Sequence, residues 1–194
     1  MHGYSRDLDL TSECSNYRGI SLLSIPGKLY ARMLVDRVRE VTETRVDNIQ
    51  CGFMEGRGCV DQIFAMRLIA EKYIEKNRRV YAVFVDLEKA YDRVDRAGLW
   101  LVMRQYGVTG RLLDAVKGMY EGCRASVKMG GMSEYFKIDR GVRQGCVMSP
   151  WLFNLYMDAC VREVRQVNVG GVRVGDERLN MLMFADDTVL LAEN

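Results

Sequence analysis

Apolar residues recur along this chain with two different periods, and the places where the period changes mark out its elements. Across residues 28–45, Leu29, Met33, Leu34, Val38 and Val41 fall at helical spacing, with Arg32, Asp36, Arg37 and Arg39 between them. That pattern predicts an amphipathic helix buried along the apolar stripe. Residues 51–58 are punctuated by glycine and read as a loop; the helical pattern then resumes over 60–76 through Ile63, Met66, Ile69, Ala70, Tyr73 and Ile74. Residues 80–85 (VYAVFV) are continuously apolar, which predicts a strand buried on both faces. Short helices are expected over 97–106 and 111–120, and a hairpin over 125–129 and 134–139 around Gly130-Gly131. Ser149-Pro150 predicts a helix start with Ser149 as N-cap, continuing through Leu152, Leu155, Tyr156, Ala159 and Val164. Two final strands, 179–184 and 188–192, leave Ala185-Asp186-Asp187 as the turn between them. Helices and strands mix without regular alternation, so the expected fold class is α+β.

Composition adds mainly exclusions. With 194 residues, 48% of them hydrophobic, the chain suffices for one domain with a sizeable core. A formal net charge of +2 names no partner, and any nucleic-acid surface would be local, as at 18–28 or 137–143. The six cysteines (14, 51, 59, 123, 146 and 160) show no zinc-ligand spacing and read as reduced, mostly buried thiols. The single histidine, His2, rules out Ser-His-Asp chemistry and histidine metal sites. No apolar run is long enough to span a membrane, and the first twenty residues are too polar for a signal peptide. A nuclear or cytoplasmic protein, not a secreted one, is expected.

The candidate chemistry lies in carboxylates. Asp186 and Asp187 sit between strongly apolar flanks, and Asp86 falls where the apolar run 80–85 ends. Taken alone, the doublet reads as a turn, because Asp favours turns; Asp86 reads equally as a helix N-cap, and Asp92 and Asp95 as structural. Brought together, Asp86 and the doublet would form an all-oxygen site suited to Mg²⁺ or Mn²⁺ and to two-metal phosphoryl transfer. A third stretch, IDRGVRQGCVMSP, sets Arg140, Arg143 and Gln144 around Gly141 and Gly145, in the manner of a phosphate-contacting loop.

In order, NYRGISLLSIPGKLYARML (16–34), QCGFMEGRGCVDQIF (50–64), AVFVDLEKAYDRVD (82–95), GVRQGCVMSPWLFNLYMD (141–158) and FADDTVLLA (184–192) resemble the reverse transcriptase domain of non-LTR (LINE-type) retrotransposons. The resemblance implies a right-hand polymerase, with about 16–79 mostly fingers and about 80–194 mostly palm, the palm an antiparallel sheet backed by helices. It implies Asp86, Asp186 and Asp187 as the catalytic triad holding two Mg²⁺ or Mn²⁺ ions. The backbone of Leu87, Lys89 and Ala90 would approach metal and triphosphate. Tyr91 would lie under the sugar and exclude a 2′-hydroxyl. Gln144 and Gly145 would line the nucleotide pocket, Phe184 and Ala185 would pack under the active turn, and Arg18 would help hold phosphates or the template base. The implied partners are an RNA template, a DNA primer and deoxynucleoside triphosphates, with no membrane.

Two departures stand out. Met54 and Glu55 replace an arginine that the family often carries after Gly-Phe, although Arg57 is kept. The family also continues beyond its Asp-Asp hairpin into further palm and a thumb, so the chain reads as a fragment. Set against a polymerase are a truncated, non-catalytic remnant that at most binds nucleic acid or a partner, and a metal-dependent hydrolase using the same acids. The hydrolase leaves Tyr91 and the Arg-Gln-Gly stretch without a role.

Overall fold

Helix α1, Ile25–Thr42, opens the part of the chain described by the computed structural model, which covers residues 19–127, 131–166 and 170–193. The Ser24 hydroxyl accepts from the Gly27 N–H (3.3 Å) and Pro26 sits in the first turn, where a missing N–H costs nothing. After a 3-10 turn at Glu43–Arg45 come α2 (Cys59–Glu75), β1 (Tyr81–Val85), α3 (Ala90–Arg93), α4 (Arg96–Gln105) and α5 (Gly110–Gly118). Next are β2 (Arg124–Ala125), β3 (Phe136–Lys137), α6 (Ser149–Gln166), β4 (Val172–Val174), β5 (Glu177–Leu179), β6 (Met181–Phe184) and β7 (Asp187–Ala192). Among the described residues three antiparallel sheets form, with orders β1-β7-β6, β2-β3 and β4-β5. The α+β class is as expected.

The main core lies on one face of the first sheet. Met181 and Met183 of β6 pack with Leu34 and Val38 of α1, Leu99 and Met103 of α4, Val116 of α5, and Trp151, Leu152 and Leu155 of α6. The alternate residue, Leu182, faces the other way and joins Leu191 of β7, Val172 of β4, and Ile69 and Tyr73 of α2 in a smaller cluster. Side chains alternate across a strand, so β6 is covered on both faces. Several buried polar groups are paired: the Trp151 indole donates to Thr42 Oγ1 (2.9 Å), and Asp158 accepts from the Asp47 N–H (2.9 Å) and the Tyr106 hydroxyl.

Several predicted faces are corrected. The strand at 80–85 exists, but Tyr81, Val83 and Phe84 are exposed, Phe84 by 73%. β1 is the edge of its sheet and lies outside both the α1/α4/α6 layer and the α2 layer; an apolar run specifies a strand but not what covers it. On α1 the buried stripe is Ala31, Leu34, Val35, Val38 and Thr42, leaving Leu29, Met33 and Val41 exposed. α2 buries only Ile69 and Tyr73, so Ile63, Ala70 and Ile74 face outward. Val164 of α6 is likewise exposed. Residues 179–184 are two strands, since β5 breaks off at Asn180 to pair with β4, a hairpin the pattern did not reveal. α6 begins at Ser149 itself, whose hydroxyl meets that of Tyr120 at 3.3 Å. Of the predicted hairpin after α5, residues 128–130 lie outside the described set; β2 and β3 pair, and the Ser133 N–H donates to the Val127 carbonyl (2.9 Å). The cysteines are less buried than expected: Cys51 and Cys146 are buried, but Cys59 and Cys160 are exposed. Among the described residues no helix is long and apolar enough to cross a membrane.

Candidate active site

The β6–β7 hairpin pairs Phe184 with Asp187, so its two central residues are Ala185 and Asp186, and Asp187 already belongs to β7. The turn is therefore one residue shorter than predicted. Ala185 has φ 57°. Two-residue hairpins favour Gly at a positive-φ first position, and a residue with a Cβ there costs about 1–3 kcal/mol unless its surroundings fix it. Here they do. The Gln50 side chain, 1% exposed, accepts from the Ala185 N–H (2.8 Å) and donates to the Ala185 carbonyl (3.1 Å). Its oxygen also accepts from the Gly52 N–H (2.8 Å), while the Gly52 carbonyl accepts from Asn154 Nδ2 (2.7 Å). A Cβ at Gly52 would overlap the Ala185 backbone nitrogen, so only glycine allows this approach.

On the other side of β7, the ladder with β1 ends at Val85 opposite Thr188. Asp86 and Asp187 are the next residues on these antiparallel strands, and they emerge at the same end of the sheet. Both line a cavity of about 420 Å³ whose walls include Ile63 and Met66 of α2 and Phe84 and Phe184 of the sheet. Asp86 and Asp187 are exposed and Asp186 is half-buried.

Asp186 is not part of that cavity wall; its charge acts on Tyr91 instead. Burial first, and the Asp186 carboxylate second, push the Tyr91 hydroxyl far above its ordinary value, so it stays neutral. The Tyr91 ring stacks on Phe153 (4.5 Å between centroids, 18° between planes), and its buried hydroxyl has no hydrogen-bond partner among the described residues. Also among the described residues, no three His, Cys, Asp or Glu side chains are grouped closely enough to hold a metal ion. Asp86 and Asp187 thus line one cavity, and Asp186, the next residue of the turn, lies beside Tyr91. Neighbouring residues of a hairpin diverge to opposite faces, and like charges repel. The donor set itself, all carboxylate oxygen, suits a hard divalent cation.

The remaining predicted residues surround this region. Leu87 and Ala90 line a smaller cavity with Phe153 and Tyr156, and Lys89, at φ 52°, caps the short helix α3. Val142 N–H donates to the Tyr91 carbonyl (2.8 Å) and Gly141 N–H to that of Val94 (2.8 Å), which docks the Arg-Gln-Gly loop on α3. Gln144 Nε2 lies 3.4 Å from Asp92 Oδ1, giving Asp92 a partner in that loop. Gly145, at φ 92°, lies so close to the Ser21 carbonyl that a Cβ would come within 2.7 Å of it. Arg143 donates to Cys123 Sγ (2.9 Å) and covers Tyr120, so of the two loop arginines only Arg140 presents its side chain to solvent. Arg57 is likewise engaged, donating to the carbonyls of Asn48 (2.7 Å) and Gln50 (3.0 Å). Met54 packs against the main core, which accounts for an apolar residue there. Arg18 lies outside the described residues.

Sequence reading missed Gln50, Gly52 and Asn154, whose partners are more than a hundred residues away, and Arg96. The Arg96 guanidinium donates to the carbonyls of Ile138 (2.7 Å), Arg140 (3.1 Å) and Gly141 (2.9 Å), fixing the approach to the loop. The sequence offered only Gln50 as a polar residue beside the glycine-punctuated loop, and nothing that marked Asn154 or Arg96.

Comparison with known proteins agrees with this geometry. Residues 6–194 match the family described as reverse transcriptase (RNA-dependent DNA polymerase). The chain is 34% identical over 179 residues to the Retrovirus-related Pol polyprotein from type-2 retrotransposable element R2DM of Drosophila melanogaster, covering 92% of this chain and 17% of that protein. It is 28% identical to the RNA-directed DNA polymerase from mobile element jockey of Drosophila funebris, covering 94% of this chain and 20% of the relative. The chain therefore spans about a fifth of the length of these relatives. In fold, it superposes on telomerase from Candida albicans, solved with a TWJ fragment of telomeric RNA, with a TM-score of 0.56 and 12% identity over 87% of this chain and 30% of that one. Apo telomerase from Candida tropicalis, truncated from its C-terminal domain, gives 0.54 and 15% over 87% and 34%. With acidic strand ends, a braced hairpin and a family match over nearly its whole length, the chain belongs to the reverse transcriptase (RNA-dependent DNA polymerase) family, as a domain of the non-LTR retrotransposon kind.

Proposed function

We propose that this chain is the fingers and palm portion of an RNA-directed DNA polymerase, with about 16–79 mostly fingers and about 80–194 mostly palm. The observation that carries the reading is the emergence of Asp86 and Asp187 side by side at the end of the β1–β7 ladder, next to the braced turn that bears Asp186. In nucleotidyl transfer the primer 3′-oxygen bonds to the α-phosphorus of a deoxynucleoside triphosphate and pyrophosphate leaves. Two Mg²⁺ or Mn²⁺ ions, held by Asp86, Asp186 and Asp187, would supply activation of the attacking oxygen and stabilisation of the leaving one. Tyr91, stacked and neutral, is suited to lie under the sugar and reject a 2′-hydroxyl. The Leu87–Ala90 backbone, Gln144 and Gly145 border the nucleotide, and Arg18 and Arg140 are the cations for phosphate or template. RNA template and DNA primer are the partners, in nucleus or cytoplasm.

A second reading, a non-catalytic remnant that binds nucleic acid or a partner, draws on the exposed apolar residues of β1. Primer extension on an RNA template separates the two. The polymerase reading expects Mg²⁺-dependent incorporation of deoxynucleotides that falls more than about a hundredfold in Asp186→Asn, beyond the range for groups that merely support a metal ligand. Extension unaffected by Asp186→Asn sinks the assigned mechanism. Template binding without extension favours the remnant, and cleavage of nucleic acid without incorporation favours a hydrolase.

A further inference from the structure

We infer that Gln50 is a positioning residue for the Asp186 turn, its side-chain amide acting as an extra length of strand at the open edge of β6. Three observations converge on it. The Gln50 backbone makes a parallel bridge to Met183, and the Cys51 N–H donates to the Met183 carbonyl (3.0 Å). β6 is the edge of its sheet on that side, so segment 50–52 closes it. Where β6 curls into the turn, the backbone of segment 50–52 can no longer follow, and the Gln50 side chain takes over. It pairs with both the N–H and the carbonyl of Ala185, as a facing peptide unit would (2.8 and 3.1 Å).

The geometry explains why the amide is needed. Ala185 holds φ 57° with a Cβ present, a conformation that persists only where several contacts specify it. Both backbone polar groups of Ala185 are buried with Gln50, which is itself 1% exposed, so losing the amide leaves them unpaired away from solvent. The brace is anchored in turn. Arg57 ties the Gln50 carbonyl to that of Asn48, and Asn154 of α6 holds the Gly52 carbonyl against the turn. Residues 48–57 lead into α2, so the position of Asp186 is set from the segment before α2 as well as from the sheet.

The structural part of this inference stands without the polymerase reading; its effect on turnover rests on that reading. The test measures backbone amide exchange by NMR in the whole chain for wild type, Gln50→Met, Ala185→Gly and the double variant. Methionine keeps the volume and removes the amide; glycine relieves the positive φ. Gln50→Met is expected to speed exchange at position 185 by about tenfold or more, with Leu152 and Leu155 in α6 unchanged. Adding Ala185→Gly is expected to reduce the effect of the Gln50 change, because glycine adopts positive φ freely.

Equal acceleration at 185 and in α6, or strictly additive effects of the two substitutions, overturns the inference. If Gln50→Met does not fold, recovery of folding in the double variant supports the brace, and failure to recover overturns it. In primer extension, Gln50→Met is expected to lower kcat about ten- to hundredfold, the range for groups that orient metal ligands, with KM for the deoxynucleoside triphosphate retained. An inactive wild type overturns the polymerase reading and leaves the exchange result to decide the brace.

Discussion

β6 and β1 deliver carboxylates to the same end of one sheet, yet the two strands are held in different ways. β6 is buried on both faces, its outer edge is closed by segment 50–52, and its turn is fixed by Gln50 and Asn154. β1 is exposed along Tyr81–Phe84 and is held by its ladder to β7. Asp186 thus sits on a support specified several times over, whereas the geometry of Asp86 depends on one ladder and on whatever covers β1. Preorganisation of a site is only as good as its least supported group, and of the three proposed ligands that is Asp86.

Core substitutions should expose the contrast most strongly. Met183→Ala in β6, at a position 1% exposed, is expected to cost about 2–5 kcal/mol. Val83→Ala in β1, 58% exposed, should change stability by no more than about 0.5 kcal/mol. Denaturant unfolding measures both; similar losses would mean that β1 is covered in solution. Next in size, Gly52→Ala forces a Cβ into the Ala185 backbone and should cost about 1–3 kcal/mol. The same change at Gly118, where a Cβ meets nothing within 4 Å, should be neutral or stabilise by up to about 1 kcal/mol. Thermal melting of the two variants compares them, and equal shifts would remove the close approach from the account.

The smallest effect is one of pH. Glu193, just after β7, accepts from the Tyr73 hydroxyl of α2 (2.5 Å), the Arg173 N–H of β4 (3.0 Å) and Arg78 (2.5 Å). The Tyr73 bond first, then the Arg173 N–H, hold its carboxyl below the ordinary 4.5. The folded state therefore binds its proton less readily than the unfolded chain. This stabilisation is present above the ordinary Glu value and is lost as pH falls through the lower folded one. Unfolding midpoints measured from about pH 6 to about pH 3 should show less acid loss in Glu193→Gln than in wild type; an identical acid limb would assign the loss to other carboxylates.

How much of this was legible in the sequence depended on whether a feature is local. The helices and principal strands, the Asp95 cap of α4 (Gly98 N–H, 2.7 Å) and the hairpin carrying Asp186 follow from period and turn chemistry. Which face each helix buries did not, because Leu29 and Met33 on α1, or Ile63 and Ile74 on α2, are apolar and yet remain largely exposed. β4 and β5 were missed because three-residue strands carry too little alternation to register. At the site, the acids and Tyr91 were named from type and motif, whereas Gln50 and Arg96 were not. Their roles rest mainly on contacts to the backbone of distant segments, and a backbone carbonyl leaves no mark in a sequence.

The central claim, that the ends of β1, β6 and β7 hold divalent metal, is tested most directly by titrating the whole chain with Mn²⁺ and recording paramagnetic broadening of each backbone amide. The account predicts losses centred on residues 85–88 and 184–188 that disappear in Asp186→Asn. Broadening spread over the acidic surface at large, or the same pattern in Asp186→Asn, would contradict it.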